Sequence, residues 1–331
     1  MRSDRFGFKG LRVRSGLAFR CMAVVVLGIV PGCIKLDFFL FDSEPASLED
    51  YDFVADPDLD GIPADRITSE LVASADPDTS IHVIWVERDP AKLDPRIDPA
   101  RGVTVVYSHG NRGNNRLYWH RVAHYEDMGF NVLVYDYRGY GASGGETTEE
   151  HVYEDVEAAY DHALARGAGE ILSVGYSLGG APAIWLCSPA SGREVIGCFI
   201  ESAFTSTQGL LEDGMGYSVP SSWLLDVRFD NEARIRTLSV PVMLMHGTED
   251  RRVAFEHGQI LWEAASGLDP MNRFFALEGA GHRNVPFPSY AGDDLPVEYS
   301  HPDELPPDLH AEYLVYRGRI VDFVAEALAA R

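Results

Sequence analysis

Two kinds of apolar run alternate along this chain. Short, nearly unbroken stretches at Val103–Ser108, Val132–Tyr135, Glu170–Tyr176, Val195–Glu201, Val240–His246 and Arg273–Glu278 predict strands buried on both faces. Between them, apolar residues recur at helical spacing over Leu117–Met128, Glu149–Arg166, the segment after Ser177, Phe255–Ala265 and Ala311–Ala330. The second of these carries acids early and Arg166 late, as the helix dipole favours. Ahead of the first buried strand, Ile67–Ser74 and Ile81–Glu87 flank Ala75-Asp76-Pro77-Asp78-Thr79 and predict an antiparallel hairpin. Such alternation predicts an α/β protein with a mostly parallel, doubly wound sheet and helices on both faces. No repeat and no internal boundary appears, so residues 67–331 read as one domain. Glu201 to Val240 reads as irregular and is too short for a large independent cap.

The first 32 residues follow a different pattern. Six basic side chains and one acid lead into the apolar run Cys21–Val30, which is too short to span a bilayer. Val30-Pro31-Gly32-Cys33 resembles a bacterial lipobox, and a proline before the glycine is an uncommon choice there. The expectation is a signal peptide over 1–32, lipidation of Cys33, a tether or peripheral cover over 33–66, and a membrane-anchored lipoprotein exported to a bacterial cell envelope. An ordinary cleaved signal or an uncleaved anchor is the alternative. The whole chain carries a formal charge of −23, and the part beyond residue 32 carries −28. That surface excludes nucleic acid as a partner. Cys187 and Cys198 read as buried small hydrophobes, with a disulfide as the alternative in an export compartment.

Chemistry concentrates where the strand ending at Tyr176 runs into a helix through Gly175-Tyr176-Ser177-Leu178-Gly179. A serine at the tip of so sharp a turn is pushed out of the sheet with strained backbone angles. Glycines two positions either side avoid collision across the turn, and the Leu178 N–H lies at a helix N-terminus, where developing negative charge is stabilised. The bland alternative is a glycine-rich turn with an incidental serine.

Four further stretches accompany it in order: Ser108-His109-Gly110-Asn111, Asp136-Tyr137-Arg138-Gly139-Tyr140-Gly141, Glu201-Ser202-Ala203-Phe204-Thr205-Ser206, and His246-Gly247-Thr248-Glu249-Asp250-Arg251-Arg252-Val253. With these, the chain over roughly 67–331 resembles the α/β-hydrolase serine enzymes, a group spanning lipases, esterases, peptidase-like members and depalmitoylating thioesterases. The resemblance implies Ser177 as nucleophile, Asp250 as acid and His282, in Gly279-Ala280-Gly281-His282, as base. It also implies an oxyanion hole from the backbone N–H groups of Asn111 and Leu178. Glu249 and Asp136 are the competing acids, Asp136 being read as a turn acid bonding the Tyr137–Gly141 loop. His109 and His246 read as loop braces. Pro182 is a departure, its missing N–H threatening the helix after the nucleophile.

Other features point to less. His120 and His124 have metal-ligand spacing but lack the following glutamate of a zinc protease, and Asp56–Gly61 opens like a calcium loop without the closing acid, so no metal and no organic cofactor is expected. Met215, Tyr217, Val219, Trp223, Leu224 and Leu225 are candidates for an acyl pocket. Asn284–His310, rich in proline and acid, is expected to form a rim that disfavours anionic substrates. The expected activity is hydrolysis of a small-molecule or acyl ester or thioester. A peptidase and a non-catalytic binding protein on the same scaffold are the rivals, and oligomeric state is left open.

Overall fold

The computed structural model describes residues 40–51, 62–215, 226–290, 302 and 305–331. Ten strands lie within these residues: β1 (Asp42–Ser43), β2 (Ile67–Ala73), β3 (Ser80–Val86), β4 (Val103–Ser108), β5 (Arg112–Gly113), β6 (Asn131–Tyr135), β7 (Glu170–Tyr176), β8 (Gly197–Glu201), β9 (Val242–Gly247) and β10 (Arg273–Leu277). Seven α-helices accompany them: α1 (Trp119–Asp127), α2 (Glu149–Ala165), α3 (Gly180–Cys187), α4 (Thr207–Met215), α5 (Asn231–Ile235), α6 (Phe255–Ala265) and α7 (Pro307–Ala329).

Eight strands form one sheet in the order β10-β9-β8-β7-β4-β6-β3-β2. All neighbours are parallel except at the β6, β3, β2 end, where the expected hairpin pairs antiparallel. Successive side chains of a strand leave by opposite faces, so the unbroken apolar strands feed two cores. Val105, Tyr107, Leu172 and Val174 join α1 and α7 on one face. Val106, Ile171, Cys198 and Ile200 join α2, α3 and α6 on the other. From β4 the chain moves first to β6 on one side and then to β7 on the other. The sheet's switch point therefore lies between the carboxyl ends of β4 and β7, where a crevice forms.

The elements match the apolar pattern with small shifts at their ends. Helix α7 begins at Pro307, four residues before the expected start, because proline needs no N–H partner in a first turn. The stretch read as irregular holds α4 and α5. Pro182 falls in the first turn of α3, where its N–H would lack a partner anyway, so the feared distortion is absent. Cys187 and Cys198 are buried free thiols. Residues 40–46 lie against the body: β1 pairs with β5, and Phe41 packs edge-on against Phe229.

The turn after β7 is held by close backbone approach. A Cβ on Gly179 would lie 1.9 Å from the Ser108 carbonyl oxygen, and one on Gly175 would lie 2.1 Å from that of Gly179. Gly179→Ala is therefore expected to cost at least about 1–3 kcal/mol, since backbone must shift to admit the methyl. Gly267→Ala, where nothing lies within 4 Å, should be nearly silent. Urea denaturation of both variants checks this; equal midpoints would refute the tight elbow.

Candidate active site

Ser177 sits at that turn with φ of 55°, one of three non-glycine residues with positive φ among the described residues. A short 3₁₀ turn, Ser177–Gly179, carries the chain into α3. The strain, about 1–3 kcal/mol, persists because strand, turn and helix are all packed around it. The hydroxyl meets His282 after β10: Ser177 Oγ lies 3.0 Å from His282 Nε2. On the other side His282 Nδ1 lies 2.7 Å from Asp250 Oδ2, in the loop after β9. Asp250 Oδ1 accepts from the backbone N–H groups of Arg252 and Val253, each at 2.9 Å. His246 Nε2 lies 3.4 Å from Asp250 Oδ2 and 3.0 Å from the Val253 carbonyl, bracing this loop as expected.

The electrostatics suit a neutral base beside an ionised acid. Burial opposes the Asp250 charge, but the bonds from His246 and His282 win and hold its carboxyl well below the usual range. Burial pushes the His282 imidazole below its ordinary value, against the pull of Asp250. The proton on Nδ1 points at Asp250, leaving Nε2 free to accept from Ser177. Ser177 is 8% exposed, enough to be reached from the crevice.

The three residues thus come together from the ends of three strands. Asn111 and Leu178 stand just beyond the ends of two neighbouring strands in the middle of the sheet, β4 and β7. The Asn111 carbonyl accepts from the Asp42 N–H at 3.0 Å and the Tyr140 hydroxyl at 2.9 Å, and its amide donates to the Leu40 carbonyl at 3.3 Å. These bonds fix the loop without using the Asn111 N–H. Glu249 is exposed, and its backbone N–H bonds the Ala280 carbonyl. Cys33, Asp56–Gly61, Tyr217, Val219, Trp223, Leu224, Leu225 and most of the Asn284–His310 insertion beyond Tyr290 lie outside the described residues; the near part of that insertion buries Val285 and Phe287. His120 and His124 meet edge to face, and His124 packs among Phe287, Tyr313 and Tyr316.

Asp136 departs from expectation. Its carboxylate does not hold the Tyr137–Gly141 loop: it accepts from the Asn115 N–H at 2.8 Å and faces His82 Nδ1 at 3.2 Å and His109 Nε2 at 3.5 Å. The loop is held by Asp155 of α2, which accepts from the Arg138 N–H at 2.8 Å and Nε at 2.7 Å. A second Ser–His–Asp chain results, because Ser69 Oγ lies 2.8 Å from His82 Nε2. Ser69 lies in mid-strand on β2, without an elbow or a helix N-terminus beside it, so this chain lacks the means to stabilise an oxyanion.

Sequence reasoning missed the support behind His282. The Tyr176 hydroxyl donates to the His282 carbonyl at 3.1 Å, and the two rings lie 5.2 Å apart. The Arg121 guanidinium lies 4.0 Å over the Tyr176 ring and bonds Glu201 at 2.6 Å. Tyr316 of α7 donates to the other Glu201 oxygen at 3.1 Å. The available signal was an arginine inside the apolar stripe of α1, beside buried Val122 and Tyr125 and the preceding Tyr118.

A sheet of this order, with a strained serine at its switch point and acid and histidine on later strand ends, defines the α/β-hydrolase fold. Residues 105–230 match the model of the alpha/beta hydrolase family. The chain is 32% identical over 199 residues to human alpha/beta hydrolase domain-containing protein 17B, covering 57% of this chain and 64% of that protein, just under two thirds of its length. It is 26% identical over 230 residues to the uncharacterized protein YfhR of Escherichia coli K12, covering 68% and 71%. Among solved structures, the Pyrococcus furiosus esterase Pf2001 superposes with a TM-score of 0.58 at 16% identity, covering 79% of this chain and 91% of that one. At 16% that likeness speaks for the fold alone.

Proposed function

We propose that this protein is a serine hydrolase that cleaves a carboxylic ester or thioester through an acyl-enzyme. The observation that carries the reading is the Ser177–His282–Asp250 hydrogen-bonded chain on a strained elbow. Ser177 Oγ attacks the acyl carbon while His282 Nε2 takes its proton. The tetrahedral oxyanion is met by the Asn111 and Leu178 N–H groups, each such donor being worth about a hundredfold or more in rate. His282 returns the proton to the departing oxygen or sulfur, and Ser177 keeps the acyl group. Water then repeats the sequence, with His282 as base, and frees the acid. Asp250 stays ionised and holds the tautomer. The chemistry asks for no cofactor.

We further propose that Cys33 carries lipid and ties the enzyme to a membrane of the bacterial envelope. Support comes from the basic stretch, short apolar run and Val-Pro-Gly-Cys boundary. Among the described residues no helix is long and apolar enough to cross a membrane. Leu40, whose carbonyl bonds Asn111, lies seven positions after Cys33, so that contact would lie within about 25 Å of the lipidated residue.

Ser177→Ala is expected to abolish both ester turnover and labelling by a fluorophosphonate. Asp250→Asn should lower turnover by up to about four orders of magnitude with little change in melting temperature. Asp136→Asn should instead lower stability by about 1–3 kcal/mol. Wild-type turnover in Ser177→Ala, or a stable but inactive Asp136→Asn beside an active Asp250→Asn, would overturn the assignment. The base must be neutral to act, so kcat/KM should fall as pH drops through a single pKa below 6.5, the ordinary histidine value. A midpoint at or above that value would contradict the depressed imidazole. Mass spectrometry of the mature N-terminus should find diacylglyceryl-modified Cys33; an unmodified or absent Cys33 refutes the anchor.

A further inference from the structure

Three consecutive carbonyls of the loop after β4 are turned inward, each onto a buried aromatic side chain. The His109 carbonyl accepts from the Tyr137 hydroxyl at 2.6 Å. The Gly110 carbonyl lies 2.6 Å from His109 Nδ1, and since a carbonyl only accepts, Nδ1 carries the proton and donates. The Asn111 carbonyl accepts from the Tyr140 hydroxyl at 2.9 Å and from the Asp42 N–H at 3.0 Å. Tyr137 and Tyr140 belong to the loop after β6, which the parallel pairing of β4 with β6 sets beside this one. His109, Tyr137 and Tyr140 are all fully buried.

The other nitrogen of His109, Nε2, faces Asp136 Oδ1 at 3.5 Å and makes no hydrogen bond among the described residues. The bond to Gly110 is therefore the one full hydrogen bond of that ring. Tyr118, Tyr137 and Tyr140 enclose the imidazole, at 5.2, 4.4 and 5.5 Å between ring centres. Asp136 Oδ1 also accepts from the Asn115 N–H at 2.8 Å and so ties down the far end of the same loop. The buried Ser69–His82–Asp136 chain, unfit to be a second nucleophilic site, thus ends against the loop that carries Asn111.

A trans peptide sets its N–H opposite its C=O. The Gly110 carbonyl and the Asn111 N–H belong to one such peptide, no cis bond occurring among the described residues. Turning that carbonyl onto His109 turns the Asn111 N–H away from the aromatic cluster, and no hydrogen bond among the described residues uses it. Glycine offers little resistance to a flip of this peptide. Flipped, it would present a carbonyl oxygen where a donor is needed and leave the buried His109 Nδ1–H without an acceptor.

We propose that His109, Tyr137 and Tyr140 are positioning residues that lock the Gly110–Asn111 peptide with its N–H toward the oxyanion formed at Ser177. This rests on the proposed serine-hydrolase reading and names what sets its second oxyanion donor. None of the three touches the substrate; they act through one backbone N–H, which is called on only when the carbonyl oxygen becomes an oxyanion.

The test uses full-length protein, a p-nitrophenyl ester, and a trifluoromethyl ketone whose adduct with Ser177 carries the oxyanion. Active sites are counted by the end-point of fluorophosphonate labelling. His109→Gln moves a donor to the place of Nε2, and His109→Asn keeps one at the place of Nδ1. His109→Gln should lower kcat per active site about a hundredfold, as for loss of one oxyanion donor, and raise the ketone Ki by a like factor with KM little changed. His109→Asn should regain at least about tenfold of both. Tyr137→Phe keeps its ring and should shift both quantities the same way by about tenfold. Tyr160→Phe loses a like bond, to the Glu194 carbonyl at 2.9 Å ahead of β8, and should leave the ketone Ki in place. Wild-type turnover in His109→Gln, a fall in kcat without a rise in Ki, or His109→Asn no better than His109→Gln overturns the inference and leaves the hydrolase reading intact. If His109→Gln does not accumulate as folded protein, Tyr137→Phe decides: a raised Ki supports the inference and a wild-type Ki overturns it. Absence of any Ser177-dependent turnover in the wild type defeats the hydrolase reading, and this inference with it.

Discussion

The backbone contact between Gly179 and Ser108 is the constraint on which the site depends. The elbow after β7 presses against the end of β4 so closely that no side-chain atom fits between them. Two consequences follow from one contact. Ser177 is held at a positive φ that a looser turn would relax, and the loop bearing Asn111 is brought to the same strand end as Leu178. Parallel pairing of β4 with β7 places both loops at one edge of the sheet, and the switch of chain direction leaves the space above them open. The strain at Ser177 and the placing of the Asn111 loop beside Leu178 are therefore not separate features.

Beneath the elbow, buried charge does the positioning. Arg121 and Glu201 are almost wholly removed from water and bond each other at 2.6 Å. Removing one member of such a pair would strand the other, at about 3–5 kcal/mol. Burial raises the Glu201 carboxyl, and the bonds from Arg121 and Tyr316 oppose that rise. The pair reaches the chemistry through Tyr176, which lies between Arg121 and His282. On the other face of the sheet Arg138 and Asp155 do the same for the Tyr137–Gly141 loop, where burial pushes the Asp155 carboxyl up to about 6 despite the Arg138 bonds.

The apolar pattern made strands, helices and the hairpin legible because period and burial coincide there. The glycines about Ser177 were legible because close approach permits no other residue. The buried ion pairs were not. Arg121 and Asp155 stand where an amphipathic helix should be apolar, and such violations carry little weight singly. Read together, they mark the two places where α1 and α2 touch the loops of the site. Asp136 was misplaced for a related reason. Its position after β6 suited a turn acid, but its partners His82 and His109 come from β3 and the end of β4, which only the pairing of strands makes neighbours.

Residues 40–46 bear on how the site relates to its surroundings. They do not merely cover the body: Asp42 and Glu44 donate backbone hydrogen bonds to Asn111 and Gly113, and Ala46 donates to Gly141. The loop that offers the Asn111 N–H is thus clamped between the Tyr140 hydroxyl on one side and the incoming chain on the other. A displacement of that chain would act directly on the Asn111 loop. If Cys33 is anchored as proposed, the anchor would bear on the crevice through this segment, whose described contacts include the Asn111 loop. Arg112, on β5, pairs with that same incoming segment, so the segment lies beside the loop that carries Asn111.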